Sequence, residues 1–309
     1  MKVALFGGTG FVGSYLIDCL ILNDYIPQVL VRSGSENKIR SECNIIIGDI
    51  ADENAVEKTI MGTEAIIYNI GIIRDFPSRG ITYDNLHFEG LVNCMGLAEK
   101  INIKRFILMS ANGVKENGTK YQQSKFLADE CLQKSNLSWT IFRPSLIFGD
   151  PRGLGRPEFC TQLKKDMLSL PFPAPLLYEG LLPLNVGKFS MSPIHVENIA
   201  EFFIKSINQQ NTHNKIFDLG GIHTFSWEEI IHLIALAANK RTWKMPAPLF
   251  IVKFISLLLD RFSWFPITRD QLTMLMEGNV VKDHFFDDFE IIPKKFDLNN
   301  LDYLSSNDK

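Results

Sequence analysis

Short apolar runs rich in Val and Ile alternate with segments of helical period over the first half of the chain. The runs predict strands at 3–6, 28–31, 44–47, 65–70, 105–109 and 139–142. Their cores, such as Val3-Ala4-Leu5-Phe6 and Ile45-Ile46-Ile47, are continuously apolar instead of alternating. Strands of that kind belong in a parallel sheet whose two faces are both covered by helices. The pattern therefore predicts an α/β fold with a doubly wound parallel sheet and a smaller, mostly helical C-terminal lobe. The expected first domain is 1–150, with the chain returning to it at about 190–222, and 151–309 forms the second lobe. In that half the pattern predicts a strand at 216–219 and a helix opening at Ser226, where Ser226 and Glu229 match a capping box. The Pro-rich stretch Pro171-Phe172-Pro173-Ala174-Pro175 is expected to interrupt any regular element, either as a loop over a ligand mouth or as a plain connector.

Directly after the first strand stands Gly7-Gly8-Thr9-Gly10-Phe11-Val12-Gly13, opening a helix that runs to about Leu22. Between a strand and a helix, Gly7 permits a tight turn, Gly10 lets the backbone approach a pyrophosphate, and Gly13 lets the helix pack close to the strand. The helix N-terminus presents its free N–H groups to the anion. Gly7, Thr9, Gly10, Phe11, Val12 and Gly13 are thus candidate cofactor-binding residues in an NAD(P)-binding Rossmann domain. At the end of the second strand Val31-Arg32-Ser33 carries no acidic residue, and a guanidinium favours a 2′-phosphate. Arg32 therefore predicts NADP(H) over NAD(H), with NAD(H) as the alternative and a solvated strand end as the plain reading. Asp49 and Ile50, after the third strand, are candidates for holding and flanking the adenine. Asp49 is equally a candidate cap for the helix beginning near Asp52.

Charge and composition narrow the partners. The 309 residues contain 32 Lys+Arg against 35 Asp+Glu, a net charge of −3, so no basic excess is available to hold a nucleic acid. Five cysteines never closer than 24 positions describe neither a disulfide framework nor a metal clip, and the six histidines form no HxxxH pair. No metal site is expected, and the compartment expected is the cytoplasm. The opening Met1-Lys2 and its apolar run break at Gly7-Gly8 without a cleavage site, so no leader is expected. No apolar stretch approaches the ~18 residues of a spanning helix.

The fifth strand ends at Ser110, and eleven residues later comes Tyr121-Gln122-Gln123-Ser124-Lys125. At a spacing of four, Tyr121 and Lys125 share one helix face. An adjacent ammonium is expected to lower the phenol pKa from ~10 toward neutrality and make Tyr121 a general acid/base. Lys125 is also placed to hold the nicotinamide ribose, and Ser110 to donate to a substrate carbonyl. The reading without chemistry is a solvated helix face.

Together, the glycine loop at 7–13, Ser110, Tyr121 and Lys125, and Arg143-Pro144-Ser145-Leu146-Ile147-Phe148-Gly149 resemble the short-chain dehydrogenase/reductase superfamily of the extended or atypical kind. Asn69-Ile70-Gly71, Ser110-Ala111-Asn112-Gly113, Arg269-Asp270-Gln271-Leu272-Thr273-Met274-Leu275 and Gly278-Asn279-Val280 resemble the nucleotide-binding accessory subunits of respiratory complex I and their bacterial relatives. The resemblance implies that Ile70 and Gly71 line the cofactor, and that Ser192-Pro193-Ile194-His195-Val196-Glu197-Asn198-Ile199-Ala200 returns the chain to the core, with His195 structural. It implies one of two roles: an oxidoreductase or epimerase on a small carbonyl or alcohol substrate, or an accessory or assembly protein docked on a respiratory-complex subunit. Extended members separate the Ser and Tyr by about twice the distance found here, which bears on whether Ser110 and Tyr121 reach one substrate. Finally, 246–265 is dense in Leu, Ile, Phe and Trp, with Lys253, Asp260 and Arg261 its charges. A helix so apolar is either packed core or a contact with a partner subunit or the inner face of a membrane.

Overall fold

The structure, a computed structural model, describes residues 1–153, 155–169, 173–259 and 268–305. Pro171 and Phe172 of the Pro-rich stretch, and Asp260, Arg261, Phe262, Trp264 and Phe265 of the apolar one, lie outside the described residues.

In chain order the elements are β1 (Lys2–Phe6), α1 (Phe11–Leu22), β2 (Ile26–Val31), β3 (Asn44–Ile47), α2 (Glu53–Ile60), β4 (Ala65–Tyr68), α3 (Gly90–Lys100), β5 (Arg105–Met109), α4 (Lys120–Gln133) and β6 (Ser138–Pro144). There follow β7 (Ile147–Phe148), α5 (Phe159–Leu163), β8 (Ala174–Tyr178), β9 (Ser190–Met191), β10 (Ile194–His195), α6 (Val196–Ser206), β11 (Lys215–Leu219), β12 (Phe225–Ser226), α7 (Trp227–Ala237), β13 (Lys244–Pro248), α8 (Leu249–Leu259) and α9 (Arg269–Glu277). They form two compact units: Met1–Pro144 with Val196–Leu219 and Phe285–Ile292, and Ser145–His195 with Gly220–His284 and Pro293–Lys309.

The first unit is built on a seven-stranded parallel sheet of order β11-β6-β5-β4-β1-β2-β3. In β1 and β4 the continuously apolar strands are buried as their pattern requires, Val3, Ala4, Leu5, Phe6, Ile66 and Ile67 having no exposed surface; β3 departs from it, because at the edge of the sheet Ile45 and Ile47 stay exposed. Strand order reverses between β1 and β4, and at such a switch point the two neighbouring chains leave the sheet in opposite directions, opening a crevice beyond the carboxyl ends of the strands. One helix that borders this crevice has its start fixed locally. Thr119 Oγ1 accepts from Gln122 N–H at 3.3 Å while the Thr119 N–H donates to Gln122 Oε1 at 2.8 Å, a reciprocal cap that sets where α4 begins.

In the second unit the Pro-rich stretch departs from expectation. Ala174–Tyr178 is a strand, not an interruption, and it pairs in parallel with β13, whose own sequence carries Pro246 and Pro248. A two-stranded ladder leaves each strand one unpaired edge, so a proline can turn its missing N–H outward. For the same reason 246–248 belongs to a strand, and the apolar helix begins only at Leu249. His195 is buried edge-on against Phe148 at 5.1 Å, a packing role. The capping box at Ser226 is present: its N–H donates to Glu229 Oε2 at 2.7 Å and its Oγ accepts from Glu229 N–H at 3.3 Å. Ser226→Ala removes one half of this exchange and should cost about 1 kcal/mol of stability in chemical denaturation; an unchanged midpoint would mean the cap contributes nothing.

Candidate functional site

The glycine loop lies at the switch point. Gly7 has φ 89°, and a Cβ there would stand 2.7 Å from Asn69 O, just beyond β4, so the loop and the end of β4 meet backbone to backbone. A Cβ on Gly13 would collide with Gly7 O and come within 2.7 Å of Gly8 Cα. Gly10 differs: it is the extended N-cap of α1, and an added Cβ would meet nothing closer than Gly7 O at 3.4 Å. The space above Gly10 is open to a ligand, while that at Gly13 is filled by the loop itself. The first turn of α1 holds no acidic residue and no side chain caps it, so its N–H groups and partial positive charge remain available to a pyrophosphate. These features fit a dinucleotide. Thr9 and Val12 are half-buried in this turn, whereas the Phe11 ring is buried edge-on to Tyr15 at 5.9 Å and serves the core.

Arg32 follows β2 directly with its side chain exposed, and Asp49 is exposed after β3 with Ile50 buried beside it. The helix cap considered for Asp49 belongs instead to Asp52, whose Oδ1 accepts from Asn54 N–H at 3.0 Å. Asp49 Oδ1 accepts only from the near Ala51 N–H, at 3.1 Å, because the turn between β3 and α2 puts Asp52 at the helix start.

Tyr121, Lys125 and Asp129 follow one another at intervals of four along α4 and so share a face. Lys125 is buried, and its Nζ donates to Met109 O at 2.8 Å, at the last residue of β5, and to Ile70 O at 3.2 Å, just past the end of β4. Burial lowers its pKa to about 8, against the opposing pull of Asp129. Ser110 follows Met109 and is buried, its Oγ beside the Asp129 carboxylate but outside hydrogen-bond geometry. Asp129 is itself fully buried, with Oδ2 accepting from Arg143 Nε at 2.8 Å and Oδ1 unpartnered. Burial raises its pKa, with Arg143 the chief opposing influence.

The phenol behaves contrary to expectation. The Tyr121 pKa is pushed up to about 12, by burial first and by the Asp129 charge second. The ammonium expected to lower it is engaged with two carbonyls, and the site offers the proton-bearing phenol instead of a tyrosinate. Two aromatic side chains hold the ring. Tyr83 stands edge-on at 5.8 Å and His87 at 5.4 Å. His87 Nε2 accepts from Ile72 N–H at 3.1 Å, which puts its proton on Nδ1, donated to Ser124 Oγ at 2.9 Å. Burial, then the Lys125 charge, lower its pKa to about 2, so it stays neutral. His87 lies on the wide π-helical turn Asp84–Glu89 that leads into α3, and no sequence spacing announces it. Asp129 was legible as the next step of the Tyr121–Lys125 stripe.

With a Rossmann sheet, an open glycine cradle at its switch point and a Tyr/Lys helix beside it, the protein is a nucleotide-binding α/β protein of the short-chain dehydrogenase/reductase kind. A family model described as NAD(P)H-binding matches residues 7–162, and the chain belongs to that family. It is 25% identical over 283 residues to the NADH dehydrogenase [ubiquinone] 1 alpha subcomplex subunit 9, mitochondrial, of Dictyostelium discoideum, covering 88% of this chain and 74% of the relative. It is 24% identical over 294 residues to a photosystem II assembly factor of Trieres chinensis, covering 94% and 86%. Among solved structures, a Thermus thermophilus UDP-glucose 4-epimerase in complex with NAD matches with a TM-score of 0.74 over 99% of this chain and 98% of that one; at 15% identity this is a likeness of fold.

The two inner glycines should separate in experiment. Gly10→Val is expected to keep the circular dichroism of the native protein while abolishing nucleotide binding by calorimetry, whereas Gly13→Val should destabilise the fold itself. Retained binding in Gly10→Val would move the phosphate site elsewhere.

Proposed function

We propose that this chain is an NADP(H)-dependent oxidoreductase or epimerase-like enzyme acting on a small carbonyl or alcohol, with Tyr121 transferring the proton. The observation that carries this reading is the position of Lys125, whose ammonium reaches the ends of β4 and β5 beside Ser110, one helical turn from Tyr121. A bound NAD(P)H would supply a hydride to the carbonyl carbon. Gly7, Thr9, Gly10, Val12 and Gly13 would hold its pyrophosphate, Asp49 and Ile50 its adenosine, and Ile70 and Gly71 its nicotinamide side. The phenol, protonated throughout the neutral range, suits the reductive direction: it donates its proton to the oxygen of the carbonyl being reduced and recovers one from water. Ser110 Oγ, held beside the Asp129 carboxylate, would turn to donate to the same oxygen. Lys125 holds its neighbours by charge and hydrogen bonds, and Tyr83 and His87 keep the ring from turning. Tyr121→Phe should lower the turnover rate by about two to four orders of magnitude with little change in cofactor affinity; full activity in that variant would assign the proton to another group.

Arg32 sets the cofactor preference in this reading, since a guanidinium forms paired bonds with a 2′-phosphate that NAD(H) lacks. Calorimetry with both cofactors is expected to show tighter NADP(H) binding in the wild-type protein and loss of that preference in Arg32→Ala. Equal loss for both cofactors, or an original preference for NAD(H), would overturn the assignment.

A second reading is favoured by the same lysine. Its ammonium is already satisfied by two carbonyls and the phenol is not activated, as suits a protein in which the nucleotide supports the fold and no turnover occurs. Such a protein would be an accessory or assembly subunit bound to a respiratory complex at the inner face of a membrane; one relative is named as an NADH dehydrogenase [ubiquinone] subunit and another as a photosystem II assembly factor. Mass spectrometry of nucleotide released from the purified protein, followed by a search for its oxidation or reduction in cell extract, separates the two readings.

A further inference from the structure

Within the second unit, helix α8 is turned inside out. Leu249 and Val252 pack in a small cluster with Leu177, Leu272, Leu275 and Met276, and Ser256, four positions on from Val252, is buried on the same helix face. Ser256 is fully buried, its hydroxyl without a hydrogen bond. On the other side Phe250, Ile251, Phe254, Ile255, Leu257 and Leu258 are exposed, Phe254 to 61% and Leu258 to 52%. An ordinary surface helix presents the opposite arrangement, with its polar groups in water. The neighbouring loop extends the apolar surface. Because β8 and β13 are parallel and pair Tyr178 with Pro248, the loop after Tyr178 and the helix after Pro248 leave the same end of the ladder. That loop exposes Leu181 to 87%, together with Leu182 and Leu184.

Charge identifies what covers this face. From Ile230 to Leu259 there is no Asp or Glu, and the charged residues are Lys240, Arg241, Lys244 and Lys253; Lys244 is engaged with Glu228 at 2.9 Å, and Lys253 is the charge carried by α8 itself. Lys253 is exposed on the flank of α8, where its stem can lie along the apolar face and its ammonium reach outward. Two copies paired through this face would bury two Lys253 ammonium groups with no acidic residue of the 230–259 segment to meet them. An anionic lipid surface complements them and takes the apolar side chains. The 11 described residues of α8 make about 16 Å of helix, short of the ~30 Å hydrocarbon layer, a length that suits a helix lying in the plane of a bilayer. Among the described residues no helix is long and apolar enough to cross.

We propose that α8 and the 181–184 loop dock this protein on an anionic membrane surface, with Phe250, Ile251, Phe254 and Leu258 entering the interface and Lys253 meeting the headgroups. The inference goes beyond the chemistry proposed at Tyr121 and stands whether or not the site turns over. The test is co-sedimentation of the full chain with extruded vesicles of phosphatidylcholine, alone or mixed with phosphatidylglycerol. The expected result is binding to the mixed vesicles that weakens with added salt and with Lys253→Glu. Phe254→Ser combined with Leu258→Ser should lower it by about tenfold or more with unchanged circular dichroism. The proposal is overturned by absence of binding to either vesicle, or by binding that the double variant leaves intact. It is equally overturned if sedimentation velocity finds a dimer that the double variant dissolves, or if a membrane-free extract yields a stable protein complex that the double variant loses, since another occupant then covers the face.

Discussion

A lysine ammonium buried at the ends of two parallel strands organises the candidate site. Lys125 has no carboxylate in contact; two main-chain carbonyls, of Ile70 and Met109, take its hydrogen bonds. Such an arrangement is stable only if the helix that carries the lysine, the two strand ends and the turn after β4 keep their places, because an unpaired cation would otherwise be stranded in a poorly solvated interior. The reciprocal cap at Thr119, the Asp129–Arg143 ion pair and the packing of Tyr83 and His87 on Tyr121 each restrain one side of this arrangement.

The same burial determines the protonation of the group most suited to chemistry. A phenol beside a free ammonium would shift toward tyrosinate; a phenol in a poorly solvated pocket one face along from a carboxylate shifts away from it. In this chain the second influence prevails, because the lysine is satisfied elsewhere and Asp129 lies on the same stripe. The site is therefore poised as a proton donor at rest. The shortened interval between Ser110 and Tyr121 shares this economy of means, since Ser110 is brought to Lys125 by succession from Met109 and not by a long intervening loop.

The second unit is held by smaller clusters and short ladders, and its polarity is unusual where α8 lies. Ser256 is buried there while Phe254, Ile255, Leu257 and Leu258 on either side of it are exposed. Burying a lone hydroxyl without a partner costs free energy, and α8 bears that cost while leaving Phe250, Phe254 and Leu258 exposed.

Local sequence determined a good deal of this. Apolar runs without alternation announced the strands of the parallel sheet, since a strand covered on both faces has no polar side to show. The glycine loop announced the cradle, because only glycine fits where backbone meets backbone, and the Ser226 box announced its helix, since both partners lie within one turn. A stripe of period four joined Tyr121 to Lys125 and, followed one step further, to Asp129. Tertiary structure alone decided the rest. His87 meets Tyr121 from a different helix, the Lys125 ammonium chose carbonyls that no spacing rule connects to it, and prolines in β8 and β13 became strand residues only because each has a single partner. Whether an apolar helix is core or surface was likewise beyond the sequence, for hydrophobicity states how much apolar surface a helix carries, and only packing states which side of it is covered.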